Sequence, residues 1–315
     1  MTRAPRLTTA LRAALASLIL ATAASPSLAQ TPETIKVASP PVDVAGNLFY
    51  ALDLGYFAKA GLDVQISQLS AGAPVVAAVL GGAVDMGSSN LLPIAAAHQS
   101  GFSVVLVGPS GANSSKSPID AVIVAKDSPI KTAKDLNGKT CVTSALLNIL
   151  QIQASAWMDK NGGDWKSVKW VDAPPASEAA TVASGRVDCA AITEPFLSAA
   201  LAAGDVRLLT YTGAEIAPLV FEGGLFTSVA YAAKHVDMLK KFNRAVIDAG
   251  VWANTHHDEA ALILAKYSKR DPAKVANHAV FPENFRAADL QPLLDAAAKY
   301  GAIKSTFPAS ELVQR

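Results

Sequence analysis

The residues with chemistry to offer sit in short polar clusters, each just beyond an apolar run. They are Ser39, Pro41 and Asp43; Ser70; Ser88, Ser89 and Asn90; Thr143 and Ser144; and Thr193 with Glu194. Ser88-Ser89-Asn90 and Thr143-Ser144 each stand ahead of a predicted helix, where hydroxyls and amides act as N-caps. A helix N-terminus also presents free N–H groups and partial positive charge, which suits an anion. The same residues can serve their own helices and nothing else. Glu194 pulls the other way: an acid in a cleft opposes an anion and favours an amine, an amidine or a heterocyclic N–H. It can equally tie its own loop or bridge two parts of the molecule. No Arg lies on any of these loops, which weakens the case for a bare hydrated anion or for a sulfonate gripped by a guanidinium.

Catalytic and metal-binding patterns are missing from the sequence. There is no G-x-S-x-G nucleophile elbow, and Gly81-Gly82 is followed by no GK[ST], so it reads as a helix end. Cys141 and Cys189 are the two cysteines, with no CxxC or Cys/His spacing, and they read either as a disulfide or as two small buried thiols. His256 and His257 are adjacent and diverge on a helix. Trp157, Trp165 and Trp170 read as packing residues, one of which could wall an aromatic ligand. No cofactor or metal is expected, and the chain reads as a binder, with an enzyme on the same scaffold as the minor alternative.

The elements that must position these clusters alternate between strand and helix. Strands are expected at 35–38, 62–69, 84–87 and 102–108, with helices from 44, at 73–80 and at 91–99. After a polar stretch at 111–118, a strand at 119–125 is expected to cross to a second unit. Its strands fall at 139–143, 168–171, 187–193 and 206–210, with helices at 145–160, 177–184 and 196–203. A return strand is expected at 225–232, and the rest is helical, at 236–255, 258–267, 272–276 and 287–300. Repeated βαβαβ with short loops implies a parallel sheet with helices on both faces. Ligands of such sheets bind beyond the C-terminal strand ends, which is where the polar clusters fall.

Arg3, Arg6 and Arg12, the apolar run 11–24 and Ser27-Leu28-Ala29 read as a signal peptide over residues 1–29. No Cys follows the run, so no lipid anchor is expected, and the mature chain is expected to be periplasmic. Without that segment the chain holds 24 basic and 26 acidic residues, against 27 and 26 in the whole chain. A near-neutral chain without a basic stripe argues against nucleic acid. The remaining 286 residues exceed one typical domain.

Four phrases in fixed order sharpen this reading: ALDLGYFAKAGLDV at 51–64, AAVLGGAVDMG at 77–87, KDSPIKTAKDLNGKTCVT at 126–143 and ASGRVDCAAITEPF at 183–196. As a set they resemble the solute-binding proteins of ABC importers, in the nitrate, sulfonate, taurine and thiamine-precursor family. The resemblance implies an α/β, type II periplasmic binding protein fold: two doubly wound lobes joined by two crossing strands. Lobe 1 is expected at 30–121 and 226–315, and lobe 2 at 122–225. It further implies a ligand in the inter-lobe cleft, hinge closure, and transient docking on an inner-membrane ABC permease, with a monomer as the default state. The expected ligand is a small organic anion, a sulfonate or carboxylate; the alternative is a neutral or cationic heterocycle such as a thiamine pyrimidine precursor. Related eukaryotic pyrimidine synthases use the scaffold for catalysis with a Cys-rich motif and an active-site Lys and His, and no such Cys-rich motif is present here.

Overall fold

Two Asp residues in matching phrases show how each half of the chain starts its sheet. The computed structural model describes residues 1–2, 33–268, 275–284 and 286–313; the expected signal peptide, from Arg3 onward, lies outside the described residues. The strands of the first half are β1 (Glu33–Ser39), β2 (Leu62–Gln68), β3 (Met86–Asn90) and β4 (Val104–Pro109). Those of the second are β6 (Asp120–Ala125), β7 (Thr140–Thr143), β8 (Lys169–Asp172), β9 (Cys189–Thr193) and β10 (Val206–Tyr211). Between the halves run β5 (Ala112–Ser114) and β11 (Leu219–Phe221), and the chain returns as β12 (Gly223–Ser228). Asp85 accepts the Lys36 N–H at 2.8 Å through Oδ2 and donates its own N–H to Lys36 O at 2.9 Å. Asp188 does the same to Thr140, at 2.9 and 2.8 Å. The paired bonds lock the start of β1 to the entry of β3, and the start of β7 to the entry of β9.

Both sheets follow one plan. Sheet one runs β2-β1-β3-β12-β4 and sheet two β8-β7-β9-β6-β10. In each, the inner pairs are parallel, as expected. The exception is one strand per sheet: β12 is antiparallel to β3 and β4, and β6 is antiparallel to β9 and β10. These two strands arrive from the other half of the molecule and not over a helix on their own sheet, so they enter from the opposite end. The crossing itself falls at β5 and β11, which pair antiparallel through Asn113 and Val220. The stretches 119–125 and 225–232 therefore do not cross: β6 belongs wholly to sheet two, and β12 stops at Ser228, whose side chain caps a helix by accepting the Tyr231 N–H.

The helices are α1 (Gly46–Asp53), α2 (Tyr56–Lys59), α3 (Gly72–Leu80), α4 (Leu91–Gln99), α5 (Ile149–Lys160), α6 (Pro175–Ala183), α7 (Phe196–Ala203), α8 (Val229–Lys234), α9 (Val236–Ala253), α10 (His257–Ser268) and α11 (Ala287–Lys299). Leu48, Phe49 and Tyr50 of α1 bury fully against α9 and α10. Each such side chain stabilises the fold by roughly 1.5–3 kcal/mol. α11 packs on α4 from one half and α5 from the other. Among the described residues no helix is long and apolar enough to cross a membrane.

One helix start differs from the sequence expectation in a way that matters for the site. α5 begins at Ile149 and not at 145, because Leu147 takes a left-handed φ of 55° and Asn148 supplies the N-cap, accepting the Gln151 N–H at 2.9 Å. The segment 144–148 is thus a loop at the end of β7. The helix expected at 272–276 falls mostly on residues outside those described, and 275–276 are not helical.

Candidate functional site

A cavity of about 230 Å³ opens between the strand ends of the two sheets. From the sheet-one side it is lined by Asp43, Ser70, Ser88, Ser89 and Asn90, and from the sheet-two side by Ser144, Thr193 and Glu194. All eight were expected from the sequence. Three expected residues stand off the wall. Ser39 is fully buried and donates its hydroxyl to Pro40 O, Thr143 is fully buried and donates to Asn148 Oδ1, and Pro41 gives way to Pro40 and Val42. Both hydroxyls are enclosed and spent on their own loops, and after β7 it is Ser144 that meets the cavity.

Local sequence holds these groups in place. β3 runs on to Asn90, so Ser88 and Ser89 lie in the strand, and only Asn90 caps α4, accepting the Leu92 N–H at 3.2 Å. The hydroxyl of Ser88, a residue 2% exposed, has no protein partner among the described residues. The N-cap of α3 is Ala71, whose side chain caps nothing, leaving the first N–H groups of that helix beside Ser70 and Gly72 on the cavity wall. Gly223 lets β12 lie against the end of β3, since a Cβ there would overlap Ser89 O.

The acids define the electrostatics. Glu194 is 2% exposed and turns its carboxylate onto the start of α7, accepting the Ser198 N–H at 3.0 Å and the Ser198 hydroxyl at 2.8 Å. It therefore ties its own loop and lines the cavity as well. Burial pushes its pKa up, against those two hydrogen bonds. Asp43 accepts the Ala279 N–H through Oδ2 at 2.8 Å, and burial raises its pKa to about 6. Glu222, which the sequence reading passed over, sits just ahead of Gly223 on the cavity wall. It accepts from Gln153 Nε2 at 3.2 Å, and burial together with the neighbouring Asp120 carboxyl raises its pKa well above the usual range. Asp120 in turn accepts from Asn113 at 2.9 Å, and its Oδ1 is buried without a partner. No Lys, Arg or His is among the lining residues.

Segment 276–281 straps the rim. Ala276 N–H donates to the Ser198 hydroxyl at 2.9 Å on the sheet-two side, and Ala279 N–H to Asp43 on the sheet-one side. Between and beyond them it pairs Val280 with Ala112 and Phe281 with Asn254. Its His278 ring stacks on His257 at 4.4 Å, while His256 stacks on Trp252. The two adjacent histidines face different neighbours because His256 lies in the turn between α9 and α10 and only His257 is helical. Trp157, Trp165 and Trp170 pack against the apolar core and line no part of this cavity. Cys141 and Cys189 face each other across β7 and β9 with Cα atoms 4.6 Å apart and are joined as a disulfide.

Two sheets of one topology with a cavity between their strand ends define the class, and the comparisons narrow it. The chain superposes on the periplasmic aliphatic sulphonate binding protein SsuA from Escherichia coli with a TM-score of 0.75 at 20% identity, covering 90% of this chain and 92% of that one. It superposes equally, at 0.75 and 19% identity, on the alkanesulfonate-binding protein SsuA from Xanthomonas axonopodis pv. citri bound to MOPS, covering 90% and 99%. The fold is therefore the type II periplasmic binding fold. Residues 44–260 match the NMT1/THI5-like family model, and the chain belongs to that family. A curated Escherichia coli (strain K12) protein, provisionally named an aliphatic sulfonates-binding protein, is 27% identical over 201 residues, which is 63% of this chain and 60% of that protein's length.

Proposed function

We propose that this protein is the solute-binding component of an ABC uptake system. It captures a small organic molecule in the Asp43–Glu194 cavity and delivers it to an inner-membrane permease. The observation that carries the reading is a single cavity lined from the strand ends of both sheets, the arrangement in which hinge closure encloses a ligand. Two lobes, one carrying β1 to β4 with β12 onward and the other β6 to β10, turn about the β5–β11 pair. The names of the relatives support a sulfonate, and a sulfonate or carboxylate group is proposed for the hydroxyl and amide side of the cavity. There Ser88, Asn90 and the uncapped start of α3 offer donors.

The protein acts without chemistry of its own, as a monomer in the periplasm, exported by its first 29 residues and held by no lipid. The Cys141–Cys189 disulfide supports an oxidising compartment. The test is a thermal-shift screen of residues 30–315 against alkyl sulfonates, carboxylates, nitrate, pyrimidines and amines, followed by small-angle scattering with any ligand found. A ligand of the folded state raises the melting temperature by mass action and, on this reading, shrinks the radius of gyration. Ligand binding with no compaction would remove the closure step, and turnover of the ligand would replace the reading with catalysis.

A further inference from the structure

We infer that the cleft recognises its solute through a positively charged group, a protonated amine or an amidinium, held among Asp43, Glu194 and Glu222. The inference rests on the solute-binding reading above and adds the charge of the ligand's head group.

The three carboxyls reach one cavity from separate stretches of chain: the turn before α1, the β9–α7 junction and the residue ahead of β12. No basic side chain lines the cavity to neutralise them. Glu194 already accepts from Ser198 through both oxygens, whereas the other two are less fully partnered. Asp43 spends Oδ2 on Ala279 N–H, and its Oδ1 has no partner among the described residues. Glu222 receives one amide bond from Gln153. Asp120 stands off the cavity wall and hydrogen-bonds carboxyl to carboxyl with Glu222, which keeps a proton on the pair. A purely anionic ligand would bring like charge into this enclosed space without a counter-charge, whereas an N–H-bearing cation supplies counter-charge to the cluster and a donor to Asp43. Among the described residues no three His, Cys, Asp or Glu converge closely enough to hold a metal ion, so the cation is molecular. The unpartnered Ser88 hydroxyl on the same wall leaves room for a further polar contact.

Proton linkage follows from the same geometry. The titratable groups around the site are Asp43 and, packed beneath it, Tyr50 of α1; Asp120 of β6; Glu194; and Glu222. His278 on the strap is turned away onto His257. Burial raises the pKa of all three lining acids, that of Asp43 to about 6. A cation must find Asp43 ionised, so its affinity rises as pH rises through about 6; an anion's affinity falls over the same range.

The test is calorimetric titration of the full mature chain with four ring-matched probes, benzylamine, benzamidine, benzoate and benzenesulfonate, at pH 5 and pH 7.5. The expected result is binding of the two cations, at least tenfold tighter at the higher pH. Asp43→Asn retains an acceptor for Ala279 N–H and Glu194→Gln one for Ser198. Each should weaken the cations tenfold or more at pH 7.5 without lowering the melting temperature. Tighter binding of benzoate or benzenesulfonate than of the cations, or cation binding unchanged in both variants, overturns the charge inference and leaves solute capture standing. If none of the four binds, while the wider screen finds a ligand with no cationic group, the charge inference falls alone; if that screen finds nothing either, both readings fall.

Discussion

At the scale of single residues, burial decides which acids matter. Glu178 of α6 is 1% exposed, its Oε1 has no partner, and burial raises its pKa to about 8. The folded state holds this proton to a pH at which the unfolded chain has long released it. The stabilising contribution is therefore complete below about 4.5 and is lost as pH rises through about 8. Glu178→Gln should leave the melting temperature near pH 4.5 unchanged and raise stability at pH 8 by about 4 kcal/mol, as read by denaturant titration at both pH values. Asp43 obeys the same sign over a lower window, ending near 6. Among the site residues, Ser88, Asn90 and Glu194 were legible because Ser, Asn and Glu are costly to place at a strand end unless something uses them. Glu222 was not, because nothing in Phe221-Glu222-Gly223-Gly224 marks a strand boundary until β12 is seen to lie beside β3.

At the scale of elements, the strap 276–281 links the acids to the frame. Ser198 Oγ both donates to Glu194 and accepts the Ala276 N–H, so one hydroxyl connects the start of α7 to the rim. Ser198→Ala leaves that amide without an acceptor and should cost about 1–2 kcal/mol. Hydrogen exchange at 276–279 should accelerate in Ser198→Ala and return to the parent rate in Ser198→Thr. An unchanged rate would mean the strap is held by its other bonds, at Ala112 and Asn254. The start of α5 carries a related lesson. Apolar periodicity from Ala145 to Lys160 reads as unbroken helix, yet Leu147 is left-handed, its N–H bonded to Gln151 Oε1 at 2.6 Å. Periodicity counts apolar residues; it does not see a side-chain cap four residues on.

At the scale of the whole molecule, each sheet is completed by a strand from the far side of the crossing. This ties the stability of the halves together through β6, β12 and the β5–β11 pair. The Cys141–Cys189 bond closes a loop with a sequence separation of 48 inside sheet two. In the chain-entropy account such a bond contributes roughly 2–4 kcal/mol. Cys141→Ala with Cys189→Ala should lower unfolding stability by about that amount, and alkylation should add mass to the parent chain only after reduction. Alkylation without reductant would show free thiols.

The order of the strands in the two main sheets, most helices, the glycine and aspartate turns, and the placing of polar clusters at strand ends were written in the sequence; the crossing pair β5 and β11 was not. Each legible feature depends on local chemistry: caps, turn conformations and apolar period. Asp85 and Asp188 could be marked as turn residues from their phrases alone, and both close their sheets in the same way. Tertiary structure alone decided the rest. Full burial removed Ser39 and Thr143 from the cavity wall, and the antiparallel return of β12 brought Glu222 to it. Only the meeting of two sheets made separate acids into one carboxyl-lined cleft. Charges far apart in sequence acquire a common environment only when the chain encloses them, and that enclosure raises their pKa values.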